Sequence, residues 1–210
     1  MFDFVGSPVP VRPDLRYAYI AAWNHLSRPG PTLTARSRIE LLGATRRGEA
    51  TSASRMVGMG QTLGELADSL YHRPKDVDET LVRAAADAEG DPTAVEVIAI
   101  VSILSAIDGT HRGLGADLEP LPEPIVGPPT GVITEGLKRR RLHVPAPPGP
   151  IPFTLDLLPD EGAAFQALFG PQYMTGWEMA LDTFFREPGL NRAQIEVVSS
   201  RTSFHNECFY

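Results

Sequence analysis

Cysteine is nearly absent from this chain: the one thiol, Cys208, stands third from the end of the 210 residues. A single thiol excludes an internal disulfide framework and suits a reducing compartment. Histidine is scarce too. His25, His72, His111, His143 and His205 show no zinc spacing and no cysteine cluster to join, which argues against a metal site. Cations are in deficit, with 19 Lys and Arg against 26 Asp and Glu and a formal net charge of −7. That balance, with an isoelectric point near 5.2, argues against nucleic acid or an anionic membrane as the main partner. No uninterrupted apolar run approaches the roughly 20 residues of a membrane span. The start, Met1-Phe2-Asp3-Phe4-Val5-Gly6-Ser7-Pro8, has neither the basic nor the apolar region of a secretory signal. The expectation is a soluble, cytoplasmic protein with no cofactor.

What is present is an ordinary globular composition, 42% hydrophobic and 21% charged, in a chain long enough for one domain or two small ones. The periodicity is helical throughout. After an extended, Pro-broken lead-in over 1–12, a helix begins at Pro13 with Leu15, Ala18, Tyr19, Ala22, Trp23 and Leu26 on one face, and ends before Pro29-Gly30. Thr34 caps a second helix through Ile39, Leu41, Leu42 and Arg46. Residues 48–60 are rich in Gly and Ser and read as loop. Further helices are expected at about Leu63–Tyr71 and Val77–Ala88, closed by Pro74 and Gly90. Asp91-Pro92 then starts a run to about Thr110 that is apolar nearly all round, the pattern of a helix buried at the centre of a bundle. The fold class is all-α.

Between Gly113 and Pro152 the chain changes character, with half of its twenty prolines: Pro120, Pro122, Pro124, Pro128, Pro129, Pro145, Pro147, Pro148, Pro150 and Pro152. Such a stretch predicts an extended arm across the surface or a neighbouring subunit, with a short helical piece around Thr134–Arg140. Lys138-Arg139-Arg140-Arg141 reads as a solvated loop rather than a phosphate site. Helices resume at about Asp160–Phe169 and Gly176–Phe185. Gly58-Met59-Gly60-Gln61-Thr62-Leu63-Gly64 approaches a dinucleotide glycine pattern, but its last glycine is one residue late and no strand precedes it. His111, near the end of the long apolar helix, is assigned a structural role.

The most informative stretch is the last, Gly189-Leu190-Asn191-Arg192-Ala193-Gln194-Ile195-Glu196-Val197-Val198 through Ser203-Phe204-His205-Asn206-Glu207-Cys208-Phe209-Tyr210. Glu196 precedes Cys208 by twelve positions. On one unbroken helix the two would stand roughly 18 Å apart, too far to share a proton. A turn before Cys208, capped by Asn206 or more weakly by Ser203, would put the thiol in the first turn of a new helix, where free N–H groups lower its pKa. Few residues follow such a cap, so the tail beyond about Ser203 is expected to fray. His205 either influences the thiol or is a surface residue.

Leu190-Asn191-Arg192-Ala193-Gln194-Ile195-Glu196 followed by Asn206-Glu207-Cys208-Phe209-Tyr210 resembles the alkyl hydroperoxidase D and carboxymuconolactone decarboxylase-like superfamily. Its peroxidase members place a Glu twelve positions before a Cys, then a second Cys after two residues and a His after three more. Glu196, Cys208, Phe209 and Tyr210 match that pattern. The next two elements would fall immediately beyond Tyr210. Leu104-Ser105-Ala106-Ile107-Asp108, His111-Arg112-Gly113-Leu114-Gly115 and Leu121-Pro122-Glu123-Pro124 also look like the alkylhydroperoxidase-related (seleno)protein branch, whose second catalytic position can be selenocysteine. The resemblance implies a helical bundle of two pseudo-repeated halves, assembled as a homo-oligomer. Pro29-Gly30 with Ile39-Glu40-Leu41-Leu42 faintly echoes Pro188-Gly189 with Ile195-Glu196-Val197-Val198, while the position twelve beyond Glu40 is Ser52, without a thiol. The implied units are 1–112, a helical half lacking the thiol; 113–152, the linker; and 153–210, the half with the peroxidase motif.

A peroxidase needs a chalcogen anion to attack the peroxide, a proton for the leaving alkoxide, and a second thiol to resolve the sulfenic or selenenic acid. By resemblance Cys208 is the resolving thiol and Glu196 part of the proton relay, with an organic hydroperoxide and a thiol reductant as partners. Two other classes share the expectation of fold: a non-enzymatic helical interaction protein, and a lyase of the carboxymuconolactone type, which has no need of the Glu207-Cys208-Phe209-Tyr210 motif. One expectation is testable in the nucleotide sequence. The codon after that of Tyr210 should be UGA, read as selenocysteine, with three codons and then a His codon in frame; UAA or UAG there contradicts it.

Overall fold

The computed structural model describes residues 1–54, 58–139, 143–148, 154–186, 189–205 and 207. Among them the regular structure is helical: α1 (Pro13–Leu26), α2 (Ala35–Arg47), α3 (Ala50–Ala53), α4 (Gln61–His72), α5 (Glu79–Glu89), α6 (Asp91–Gly113), α7 (Pro159–Gln172), α8 (Gly176–Met179) and α9 (Arg192–His205), with 3-10 turns at Pro74–Asp76 and Thr154–Leu157. No strand forms among the described residues, only the isolated bridges Lys138–Ala146 and Phe185–Asn191. The all-α expectation holds.

The caps explain most of the boundaries. Thr34 accepts from the Ser37 amide to start α2, and Gly48, in the left-handed region at φ 72°, ends it. Asp78 caps α5 through the Leu81 amide. α6 is the centre, touching α1, α2, α4, α5 and α7. Val95, Val97, Ile100, Val101, Ile103, Leu104 and Ile107 are all inaccessible to solvent. By length and hydropathy α6 could cross a membrane, and 61% of its apolar window is buried inside the protein. The sequence reading missed this because Glu96 and Asp108 interrupt the apolar run. Between its ends α6 leaves one stripe short of full burial, Ile98, Ser102, Ser105, Ala106, Gly109 and Thr110, which share a side at helical spacing.

Apolar packing around α6 does not fix its register; two charged clusters near its ends do. At one, Arg38 of α2 donates Nε to Glu96 Oε1 at 2.7 Å and Nη2 to Glu161 Oε1 of α7. Glu161 Oε2 pairs with His25 Nε2 of α1 at 2.9 Å, and Glu96 Oε2 accepts from the Thr32 amide and hydroxyl, both at 2.6 Å. Arg38, Glu96 and Glu161 are fully buried. At the other, Asp108 accepts from Arg46 Nη2 at 2.6 Å and from the Tyr71 hydroxyl at 2.5 Å, and Arg112 donates to the Tyr71 oxygen at 2.7 Å. Burial first, then the Asp108 carboxylate, pushes the Tyr71 phenol up to about 12.

Four sequence expectations are corrected. Residues 50–53 are helical, not loop, because the Asp68 carboxylate of α4 accepts from the Ala50 and Thr51 amides at 3.1 and 3.0 Å and so caps α3 from a distance. A Cβ on Gly64 would lie 2.4 Å from the Ala50 carbonyl, so that approach requires glycine. The piece around Thr134–Arg140 is not helical over its described residues. Thr134 is tied to the Asp156 and Leu157 carbonyls, and Gly136 turns the chain at φ 77°. Arg139 is no solvated charge, since it forks onto Asp91 and Asp87 at 2.6 and 2.8 Å; Arg140 and Arg141 lie outside the described residues. The Gly176–Phe185 helix stops at Met179, where a turn leads into the Phe185–Asn191 bridge.

The Pro-rich arm has no helix among its described residues and is pinned to the bundle by backbone bonds. The Ile125 amide donates to Ser27 O at 2.7 Å and the Thr130 amide to Gly30 O at 2.8 Å. Trp23 Nε1 reaches Pro120 O at 2.9 Å. The lead-in is more than an extended tail. Phe2 and Phe4 are buried at φ 56° and 48°, and Phe4 stacks on the His111 ring at 4.5 Å, so His111 has the structural place expected of it.

Burial alone raises the Glu161 carboxyl, but His25 and Arg38 more than offset it and leave its pKa below the usual 4.5. A carboxylate with a depressed folded pKa stabilises the fold fully above its unfolded value and loses that contribution as pH falls through the folded one. Glu161→Gln should therefore unfold more easily at neutral pH and lose part of the steepening of stability loss in acid. Urea titrations from neutral pH to below the carboxylate range measure this; parallel curves for the two proteins would contradict it. Arg38→Met, which leaves two carboxylates buried without their cation, should cost about 3–5 kcal/mol.

Candidate functional site

The α6 stripe of Ser102 and Ser105 opens onto a cavity of about 740 Å³ between α4, α6, α7 and α9. Leu70, Phe165, Leu168, Phe169, Ile195 and Val198 supply most of its apolar wall. It exists because α9 stands off from the bundle. Ile195 is the one buried residue of that helix, while Val197 and Phe204 are 69% and 70% exposed. The N-terminal end of α9 is held by polar ties: Asn191 and Gln194 exchange side-chain and backbone bonds at 3.0 Å, and Arg192 Nη1 reaches Leu181 O at 2.8 Å.

Glu196 lies behind this wall. Tyr173, which lines the cavity, donates its hydroxyl to Glu196 Oε2 at 2.8 Å. Arg192, one turn earlier, stands 3.7 Å from Glu196 Oε1. The Tyr173 phenol is pushed up, first by burial and then by its bond to the Glu196 carboxylate. A phenol and a carboxylate in direct contact beside an apolar cavity can hold a proton and pass it to a bound oxygen.

The other predicted site residues are not gathered there. α9 runs unbroken through Ser203 to His205, so Ser203 does not cap a new helix and the expected fraying does not begin there. Nine residues of helix separate Glu196 from His205, about 13–14 Å of rise, on opposite faces. His205 is exposed and meets the Phe204 ring edge-on at 5.8 Å. The structure thus places His205 as a surface residue. The chain does turn after it: Glu207 has φ 52° and its amide donates to Phe204 O at 3.2 Å. Asn206, Cys208, Phe209 and Tyr210 lie outside the described residues.

Sequence reasoning missed Tyr173, Ser105 and the arginines Arg12 and Arg186, which meet at the end of α7, both donating to Pro171 O, at 2.8 and 2.9 Å. Nothing local marks Tyr173; its partner is 23 residues away. The α6 stripe of small and hydroxyl side chains was the legible signal. Among the described residues no group of His, Cys, Asp and Glu could hold a metal ion. A second cleft, of about 890 Å³ beside His25 and Glu161, has its acid and imidazole committed to the Arg38 cluster.

No protein-family model matches this chain, and neither a curated protein nor a solved structure matches it.

If the Tyr173–Glu196 contact raises the phenol as described, Glu196→Gln should lower its titration toward 10, because a neutral amide no longer opposes the phenolate. Spectrophotometric tyrosine titration, with Tyr173→Phe to identify the signal, measures it. An unchanged profile would contradict the pairing.

Proposed function

We propose that this chain is a peroxidase-related oxidoreductase of the alkyl hydroperoxidase D-like type, acting on organic hydroperoxides. The observation that carries the reading is the Tyr173–Glu196 hydrogen bond at the wall of the apolar cavity. An alkyl group would occupy the cavity, and the Tyr173–Glu196 pair would supply the proton that the departing alkoxide needs when the O–O bond breaks. Cys208 follows the turn at Glu207 and would act as the resolving thiol. It displaces hydroxide from an oxidised chalcogen to form a mixed disulfide or selenylsulfide, and an external thiol then reduces it. The two-halved bundle belongs to the same proposal. In its support, Arg36–Glu40 on α2 and Arg192–Glu196 on α9 form the same one-turn ion pair, at 3.9 and 3.7 Å.

A second reading, a helical homo-oligomer or interaction protein, is favoured by the apolar surface of the C-terminal segment. Trp177, Val197, Val198 and Phe204 are 74%, 69%, 58% and 70% exposed, and Val197 and Phe204, two turns apart, share one face of α9. Sedimentation distinguishes a 22.8 kDa monomer from an assembly, and the two readings are compatible.

With one thiol the 210-residue chain should show little turnover of an organic hydroperoxide with a dithiol reductant. Adding Cys, three residues and His after Tyr210 completes the two-chalcogen pattern. It should raise turnover by orders of magnitude, and Glu196→Gln should remove most of the gain. No gain on completion would contradict the proposal. Robust turnover by the unextended chain that is lost in Cys208→Ser would instead make Cys208 the peroxidatic thiol.

A further inference from the structure

The cleft beside His25 and Glu161 lies where the C-terminal end of α1 meets the N-terminal end of α7, and the Pro-rich arm supplies a further wall. It shares no lining residue with the cavity under α9. Three backbone bonds fasten the arm there: the Ile125 amide donates to Ser27 O at 2.7 Å, that of Thr130 to Gly30 O at 2.8 Å and that of Gly131 to Pro31 O at 3.0 Å. The cleft is therefore formed before anything enters it, which spares a ligand the cost of ordering its walls.

The Arg38 cluster takes up only one of the two ring nitrogens of His25. Glu161 is fully buried, and its Oε2 meets His25 Nε2 at 2.9 Å. Burial raises that carboxyl, yet the His25 bond and the Arg38 charge leave its pKa below the usual 4.5, so it is ionised at neutral pH. A carboxylate can only accept. Nε2 therefore carries the ring proton, and Nδ1 of the neutral imidazole is a bare acceptor. The His25 side chain is 21% exposed. Its Nδ1 makes no hydrogen bond among the described residues and, unlike His111 Nε2, is not shut off from solvent.

Three more polar residues line the cleft with their side chains uncommitted. Asn24 and Arg28, four residues apart, and Asp160 in the first turn of α7 are all exposed, and none has a side-chain hydrogen bond or ion pair among the described residues. A cation and an anion thus flank one cleft without meeting each other. The donors, Arg28 and the Asn24 amide, suit a carboxylate, whereas the acceptors, His25 Nδ1 and Asp160, suit an ammonium. A plain anion would face Asp160 and leave His25 Nδ1 unsatisfied, and a plain cation would face Arg28. Pro29, Pro31, Ile125 and Pro128 add an apolar wall. We infer that this cleft binds a free amino acid with an apolar side chain. Arg28 and Asn24 hold its carboxylate, its ammonium donates to His25 Nδ1 and faces Asp160, and its side chain lies on the prolines. The site is separate from that of the peroxidase reading and does not depend on it.

Calorimetric titration of the full chain with leucine tests it, beside isocaproate, which lacks the ammonium, and isopentylamine, which lacks the carboxylate. Leucine should bind one-to-one, and each analogue about tenfold more weakly or worse. Arg28→Gln and Asp160→Asn should each weaken leucine by about tenfold. Both residues are exposed, and matching thermal midpoints confirm that the variants are folded. In nitrogen NMR of the wild-type chain, the His25 Nδ1 resonance, identified by its loss in His25→Gln, should move when leucine is added. No one-to-one binding of leucine, an analogue that binds as tightly, affinity indifferent to either substitution, or a His25 Nδ1 signal that leucine leaves in place overturns the inference.

Discussion

One guanidinium between two carboxylates, with none of the three open to water, is the constraint on which this fold depends. Arg38, Glu96 and Glu161 come from three helices, and His25 adds a fourth. Taking such charges out of water costs several kcal/mol per ion, so the cluster is poor evidence of stability as such. Its effect is on position. α6 presents aliphatic side chains almost all round and could slide or rotate by a turn among its neighbours at little cost in buried area. Glu96 and Asp108, each matched to a particular arginine, remove that freedom, because any other register leaves a carboxylate buried without its cation. Gly30 is part of the same device: a Cβ there would lie 1.9 Å from Arg38 Nη2 and 2.0 Å from Glu96 Oε1.

The position of α7 follows from that cluster, and the cavity follows from α7. Glu161 in its first turn anchors the helix to α1 through His25 and to α2 through Arg38, which also holds Glu96 of α6. Phe165, Leu168 and Phe169, farther along, line the gap beneath α9, with Leu168 also buried in the core. Arg12 and Arg186 fasten the far end of α7 by taking up its last carbonyls, the task usually left to a C-cap. Tyr173, just past that end, is thereby aimed at Glu196. Structural ion pairs at one end of a helix thus fix the location of a proton-bearing pair at the other.

How much of this was legible depended on the range of the interaction. Helices with their own caps and stripes could be read from neighbouring residues: Thr34 and the Asp91-Pro92 start both mark real boundaries. α3 could not, because its cap, Asp68, comes from another helix. The buried ion clusters were equally hidden. Arg38 and Glu96 are 58 residues apart, and Arg38 looks like one more surface arginine beside Arg36. Of the candidate site, Glu196 stood out through its spacing to Cys208, whereas Tyr173 is an aromatic without any local pattern and becomes significant only when α7 and α9 are packed. His205, which the sequence left open between a neighbour of the thiol and a surface residue, faces solvent in the fold.

In the proposed peroxidase the Glu196 carboxylate on α9 and the thiol that follows the turn at Glu207 belong to one reaction centre. Because Cys208 is the only cysteine, alkylation by iodoacetamide reports on that thiol alone, and its rate against pH gives the apparent pKa. If carboxylate and thiol share a site, Glu196→Gln removes a negative neighbour and the Cys208 profile moves to lower pH, with the alkylation rate near neutrality rising. Superimposable profiles for wild type and Glu196→Gln would show that the two groups do not sense each other, and would contradict the account.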